Sequence, residues 1–254
     1  MVWIVANGAP KTGSTWVVEL VGSFPGVEPV PMGYRSEWAW PSVREDAAEE
    51  AASELGSSRK YYWSKQHWVR QALWLLGPPG VRVINSIRDV RDTVVSRYHH
   101  DLRLGVVPQM EMGEYLALRG RMLVAAFCNY HRAWLDAPGM TAQNYHVVSY
   151  EGLHHDLHGA AVGLAVFCDI AATRESIAAV AEGTRFEAHK VRGAGTFYRK
   201  GEVGAWGEDM TEAQGARVLG WAVEHGLDDI KARLAAFAPS LAPYLAMTDV
   251  GLGS

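Results

Sequence analysis

Several features that would place a chain outside the ordinary soluble enzymes are scarce or missing. Only two cysteines, Cys128 and Cys168, occur in 254 residues. Each sits in an apolar, helix-like run, with no metal-type spacing between them. That excludes a disulfide framework and reads as two buried reduced thiols. No apolar run approaches the ~20 residues that span a bilayer. Trp3-Ile4-Val5-Ala6 is too short for a signal-peptide core and runs into a Gly/Pro turn. The expectation is a cytoplasmic protein without a membrane span. An excess of positive charge is also missing: 24 Lys and Arg stand against 28 Asp and Glu, a formal net charge of −4. That argues against a nucleic-acid partner, although a few placed cations suffice for a local anion site. There is no internal repeat, low-complexity linker or dimer motif.

What is present is an ordinary globular composition, 48% hydrophobic and 20% charged. The length fits one large α/β domain or two small ones, and the chain is taken as one domain over 1–254. Hydrophobic patterning predicts strands over 2–6, 61–64, 81–87 and 145–149. It predicts helices over 14–23, 45–55, 69–76, 90–99, 120–135 and 152–167, and a mostly helical stretch over 211–237. Phe24 to Ser42 reads as an irregular loop. Strands alternating with helices imply a central parallel sheet flanked by helices. Ligands of such folds sit at the carboxyl ends of the strands.

Gly8-Ala9-Pro10-Lys11-Thr12-Gly13-Ser14-Thr15 lies between a predicted strand and a helix, the setting in which a glycine-bearing loop cradles phosphate. Gly13 lets the backbone approach an anion, the N–H groups at the helix start point towards it, and Ser14 and Thr15 add hydroxyls. A Walker A loop would carry Gly-Lys-Ser/Thr. Here Ser14 follows Gly13 and the lysine sits earlier, at Lys11. A nucleoside triphosphatase uses the missing lysine on its β- and γ-phosphates, so a phosphotransferase ranks second. A catalytically silent nucleotide-binding module is the other alternative.

Pro10-Lys11-Thr12-Gly13-Ser14-Thr15-Trp16 resembles the 5'-phosphosulfate loop of the sulfotransferases that use 3'-phosphoadenosine 5'-phosphosulfate (PAPS), with Ser14 where a threonine is usual. Two further stretches share the resemblance. Arg88, at a predicted strand end, and Ser96, eight residues on, are similar to that family's 3'-phosphate site, without its Asn-Pro after the arginine. Phe197-Tyr198-Arg199-Lys200-Gly201-Glu202-Val203-Gly204-Ala205-Trp206 resembles its Arg-Lys-Gly loop. The three occur in the family's order between residues 10 and 206. The resemblance implies a P-loop-NTPase-like sulfotransferase fold. It also implies that Lys11, Thr12, Gly13, Ser14, Thr15, Trp16, Arg88, Ser96, Arg199, Lys200 and Gly201 contact the nucleotide, with Trp16, Tyr150 and Phe186 at adenine. Tyr150 opens Tyr-Glu-Gly-Leu, similar to the family's Tyr-Glu-Asp-Leu.

Lys65-Gln66-His67 is similar to the family's Lys-x-His, with the histidine as general base. An acceptor hydroxyl is a poor nucleophile until its proton leaves, and a group titrating near neutrality suits that task. The resemblance then implies that Lys11 neutralises the leaving phosphate, that Lys65 stabilises the sulfuryl oxygens, and that adenosine 3',5'-bisphosphate (PAP) is released. No metal is required, because Lys and Arg supply the positive charge. The acceptor is expected to be a small molecule bearing a hydroxyl. Trp38, Trp40, Trp63 and Trp68 border its expected pocket and favour an aromatic or apolar-faced molecule, with core packing held equal. His99-His100-Asp101 and the group Glu151, His154, His155 and His158 invite a metal reading, since His154 and His158 would share a helical face. A solvated histidine-rich surface is preferred.

Overall fold

The computed structural model describes residues 2–29, 61–66, 80–188, 201–235 and 244. The helices expected over 45–55 and 69–76 lie outside the described residues, as do Trp38, Trp40 and Trp68. Five parallel strands form one sheet in the order β2-β3-β1-β4-β5, with β1 Val2–Gly8, β2 Val27–Pro29, β3 Tyr61–Gln66, β4 Val81–Ile87 and β5 Tyr145–Ser149. Strand β1 is central, with the chain order diverging to either side of it. The loop that follows β1 therefore opens at the topological switch point, where crevices form in such sheets.

The helices are α1 Ser14–Gly22, α2 Val90–Arg103, α3 Met112–Tyr115, α4 Arg121–Leu135, α5 Tyr150–His155, α6 Leu157–Phe167, α7 Arg174–Gly183, α8 Glu212–Glu224 and α9 Leu227–Ala235. A π-helical turn, Leu116–Gly120, joins α3 to α4. Strand alternation divides the core between the two sheet faces. Val5, Val83, Ile87, Tyr145 and Val147 pack with residues of α2, α4, α8 and α9. Ile4, Ala6, Ile84 and Val148 pack with residues of α1, α6 and α7. Both faces are thus covered, which is why these strands read as continuous apolar runs. Trp134 of α4 is fully buried and stacks on Tyr145 with ring centroids 5.8 Å apart. Burying a side chain of that size contributes on the order of 3 kcal/mol.

Several boundaries differ from the sequence expectation. Strand β2 forms inside the stretch read as irregular; with three residues it offers too little pattern to register. Helix α7 was not foreseen, although Thr173 caps it by accepting from Ser176 N. The helix expected over 152–167 is two helices, because Asp156 leaves helical geometry (φ −147°, ψ 78°) and accepts from Gly159 N at 2.7 Å. The C-terminal helical stretch is likewise broken, at Gly226 (φ 80°).

Candidate active site

The β1–α1 loop begins the site. Lys11 sits in the left-handed region at φ 74°, as does Gly13 at φ 96°. A non-glycine residue held there costs roughly 1–2 kcal/mol, so the surrounding contacts must fix it. Thr12 does so from within. Its buried hydroxyl donates to Ala9 O at 2.7 Å and lies 2.7 Å from Ser86 Oγ on β4. Gly13 is required by close approach as well as by φ, since a Cβ there would lie 2.8 Å from Tyr150 Cδ2. No side chain caps the start of α1. Its first N–H groups therefore keep their capacity for an anion.

Lys65, at the end of β3, donates to Thr15 Oγ1 at 2.7 Å. That bond ties the third strand's end to the loop and sets a second lysine beside the first. Burial lowers the pKa of Lys11 to about 8, and the nearby charges of Arg103, Lys65, Arg88 and Arg97 add to the shift. Lys11, Lys65 and Arg88 thus stand at the carboxyl ends of β1, β3 and β4, a setting that favours negative charge.

Arg88 leaves the end of β4. The turn after it does not need Asn-Pro, because Asp89 builds it. Asp89 caps α2 by accepting from Arg91 N at 2.8 Å, and its carboxylate also holds the Arg91 guanidinium at 3.0 and 2.7 Å. Arg88 packs over the Tyr150 ring at 4.0 Å from its centroid, pairs with Asp92 at 3.5 Å and donates to Glu202 O at 3.1 Å. Its Nε is buried with no hydrogen-bond partner among the described residues. An orphan guanidinium N–H of this kind suits a phosphate oxygen. Ser96 is half-buried, two turns into α2.

Asp92 latches the 201–206 loop to α2, accepting from Gly204 N and Trp206 N, each at 2.9 Å. Gly201 has φ 71°, and a Cβ there would lie 1.6 Å from Phe186 Cζ, so only glycine fits. Phe186 in turn meets Trp16, whose indole N–H donates to Thr184 O at 2.7 Å. Trp16, Tyr150 and Phe186 therefore do gather, beside Arg88 and the loop. His67, Arg199 and Lys200 lie outside the described residues.

Asp92, Thr184 and His154 were missed as parts of this region. Asp92 and Thr184 act through backbone contacts, which leave no composition signal. The histidine-rich stretch does not form one metal-like face. Asp156 separates His154 and His158 into different helices, His99 pairs with Asp209 at 2.8 Å, and His100 lies 3.0 Å from Arg103. Among the described residues no group of three or more His, Cys, Asp or Glu converges in a way that could hold a metal ion. None of the described helices is long and apolar enough to cross a membrane. Cys128 and Cys168 are buried and free, and burial raises their pKa values to about 11 and about 12.

The model of the sulfotransferase domain matches residues 2–225. Sulfotransferase 2B1 of Homo sapiens is 24% identical over 234 residues, covering 81% of this chain and 60% of that protein. The 3-beta-hydroxysteroid sulfotransferase of Cavia porcellus is 25% identical over 239 residues, covering 81% and 77%. Among solved structures, mouse sulfotransferase SULT7A1 complexed with PAP superimposes with a TM-score of 0.64 at 16% identity, covering 92% of this chain and 87% of that one. Retinol dehydratase in a complex with retinol and PAP gives 0.63 at 17% identity, covering 88% and 80%. These structures share the fold, an α/β architecture with a parallel sheet flanked by helices. With the match extending over most of its length, the chain belongs to the sulfotransferase-domain family.

Proposed function

We propose that this chain is a single-domain, cytoplasmic sulfotransferase that moves a sulfuryl group from PAPS to the hydroxyl of a small acceptor. The observation that carries the proposal is the Lys65 Nζ–Thr15 Oγ1 bond of 2.7 Å. It sets a lysine from β3 and the lysine of the β1–α1 loop on one anion site, without a lysine directly after Gly13. Two lysines there suit a group transferred between oxygens better than a γ-phosphate held with magnesium. PAPS differs from ATP by its 3'-phosphate. Arg88, with its unpartnered Nε, and Ser96 would receive that group, and the family resemblance adds Arg199, Lys200 and Gly201. Trp16, Tyr150 and Phe186 would receive the adenine.

In the transfer, the acceptor oxygen attacks sulfur as its proton passes to His67. The bond between sulfur and the 5'-phosphate oxygen breaks, and PAP leaves with the electron pair. Lys11 offsets the charge that grows on the leaving phosphate, and Lys65 holds the sulfuryl oxygens. No step in this scheme calls for a metal. A related protein named a 3-beta-hydroxysteroid sulfotransferase and neighbouring structures that contain retinol or androsterone favour an aromatic or apolar-faced acceptor, as does the tryptophan content of residues 38–68.

Thermal-shift titration separates this reading from a phosphotransferase. PAP raises the melting temperature and Mg-ATP at equal concentration does not. In turnover assays His67→Ala keeps PAP binding and loses roughly 10²- to 10⁴-fold in rate, the usual contribution of a positioned base. Preferential stabilisation by Mg-ATP would overturn the donor assignment, and near-normal turnover of His67→Ala would overturn the base.

A further inference from the structure

The base end of the proposed nucleotide site contains a fourth ring. His154 ends the short helix α5, four residues after Tyr150. Its ring centroid lies 4.8 Å from that of Trp16 at 75°, 4.8 Å from Tyr150 at 67°, and 5.6 Å from Phe186 at 40°. The three rings already assigned to adenine meet one another less closely, with Trp16–Tyr150 and Trp16–Phe186 both at 5.7 Å. His154 is thus the ring that touches all three. It keeps substantial exposure, while Trp16 and Tyr150 are buried. It therefore stands at the mouth of the cluster. From there a groove of about 520 Å³ runs outward, lined in part by Trp16, His154, Glu182 and Phe186.

The neighbouring rings are fixed, so a planar ligand laid against them would also meet the His154 ring. Trp16 is pinned to Thr184 O, and Phe186 is held against Gly201. Gly201, through its close approach to Phe186, joins the base end to the 201–206 loop. Partial burial, reinforced by the Arg88 charge, lowers the imidazole pKa below its ordinary value. The ring is therefore mainly neutral at neutral pH and can pack on a neutral purine without desolvating a charge.

We propose that His154 is a base-contacting residue that completes the aromatic wall around the purine and contributes to selection of a nucleotide bearing a base. The inference rests on the reading of this pocket as the base end of a PAPS site. It assigns a ligand contact to a histidine in a stretch that otherwise looks like solvated surface.

Calorimetric titration with two ligands tests it: PAP, and the 3,5-bisphosphate of an abasic ribose, which keeps both phosphates and has no ring. Wild-type protein binds PAP more tightly than the abasic ligand. His154→Ala weakens PAP about five- to tenfold, the size expected for one lost aromatic contact, and leaves the abasic ligand within about twofold. His154→Phe restores most of the PAP affinity. In turnover assays the His154→Ala loss falls on the KM for PAPS rather than on kcat. A variant that loses affinity for both ligands equally has lost only a structural support, and one that binds PAP like the wild type has lost no contact; either result overturns the assignment. If the wild type binds neither bisphosphate, the PAPS reading fails, and the role of His154 falls with it.

Discussion

Two arginine–aspartate pairs share a four-residue spacing, one at the entry to α2 and one near its end, and they do different work. Arg88 and Asp92 stand 3.5 Å apart at the start of the helix, where Asp92 is occupied mainly by backbone N–H groups of Gly204 and Trp206. Arg97 and Asp101 are 2.7 Å apart near its end. Asp101 is fully buried, accepts from Tyr115 Oη at 2.8 Å and pairs with Arg119 at 3.3 Å. In the first pair the carboxylate also accepts from two backbone N–H groups, and the arginine packs over Tyr150 and donates to Glu202 O. In the second the carboxylate accepts from Tyr115 of α3 and is ion-paired with Arg97 of α2 and Arg119 of the π-helical turn. The same spacing thus serves to tie a loop to the start of α2 in one pair and to clamp helices together in the other. What decides between them is where the acid spends its lone pairs.

The largest effect comes from breaking the clamp. Asp101→Ala leaves Arg97, Arg119 and the Tyr115 hydroxyl without their buried acceptor, and removing one partner of such a pair costs roughly 3–5 kcal/mol. Urea denaturation is expected to show a large fall in the midpoint with an unchanged slope. A midpoint close to that of the wild type would mean that the clamp is not structural.

Breaking the other pair should cost less stability, since Asp92 keeps its two backbone donors, and should remove ligand. Arg88→Ala deletes charge-assisted hydrogen bonds worth about 1.5–3 kcal/mol each. PAP affinity is expected to fall on the order of 10²-fold, with a denaturation midpoint near that of the wild type. Arg97→Ala should show the reverse, with lower stability and PAP affinity within a few-fold. If both arginines moved the same observable, the contrast between the two ends of α2 would collapse.

The sequence carried these two ends unequally. Strands β4 and β5 were legible to the residue, because strands buried on both faces are apolar runs with sharp polar ends. The β1–α1 loop was legible as a glycine-bearing turn between strand and helix, whereas Arg88 stood out only through the family resemblance. Asp92 was not legible as a latch, since its partners are main-chain groups over a hundred residues away. Asp101 appeared only in a histidine-rich string, and nothing local announces Tyr115 or Arg119 as its partners. His154 is exposed, as the reading of a solvated histidine-rich surface expected, but its ring also packs on Trp16 and Tyr150, a contact that no local pattern announces.

The smallest effect concerns a proton, and it again distinguishes the two arginines. Burial lowers the Lys11 pKa to about 8, helped by the charges of Arg103, Lys65, Arg88 and, least, Arg97. Below pH 8 the ammonium is present and ready for the 5'-phosphosulfate. Above it, the amine is neutral in the free protein and must take up a proton as the anionic ligand arrives. The kcat/KM for PAPS should therefore be level below pH 8 with respect to this group and fall towards tenfold per pH unit above it. Lys11→Arg, which stays charged throughout, should lower the plateau and abolish this inflection. Arg88→Ala should move the inflection to higher pH by more than Arg97→Ala does, because the charge removed is the stronger of the two influences. An inflection that persisted unchanged in Lys11→Arg would assign the titration to another group and separate Lys11 from the donor site.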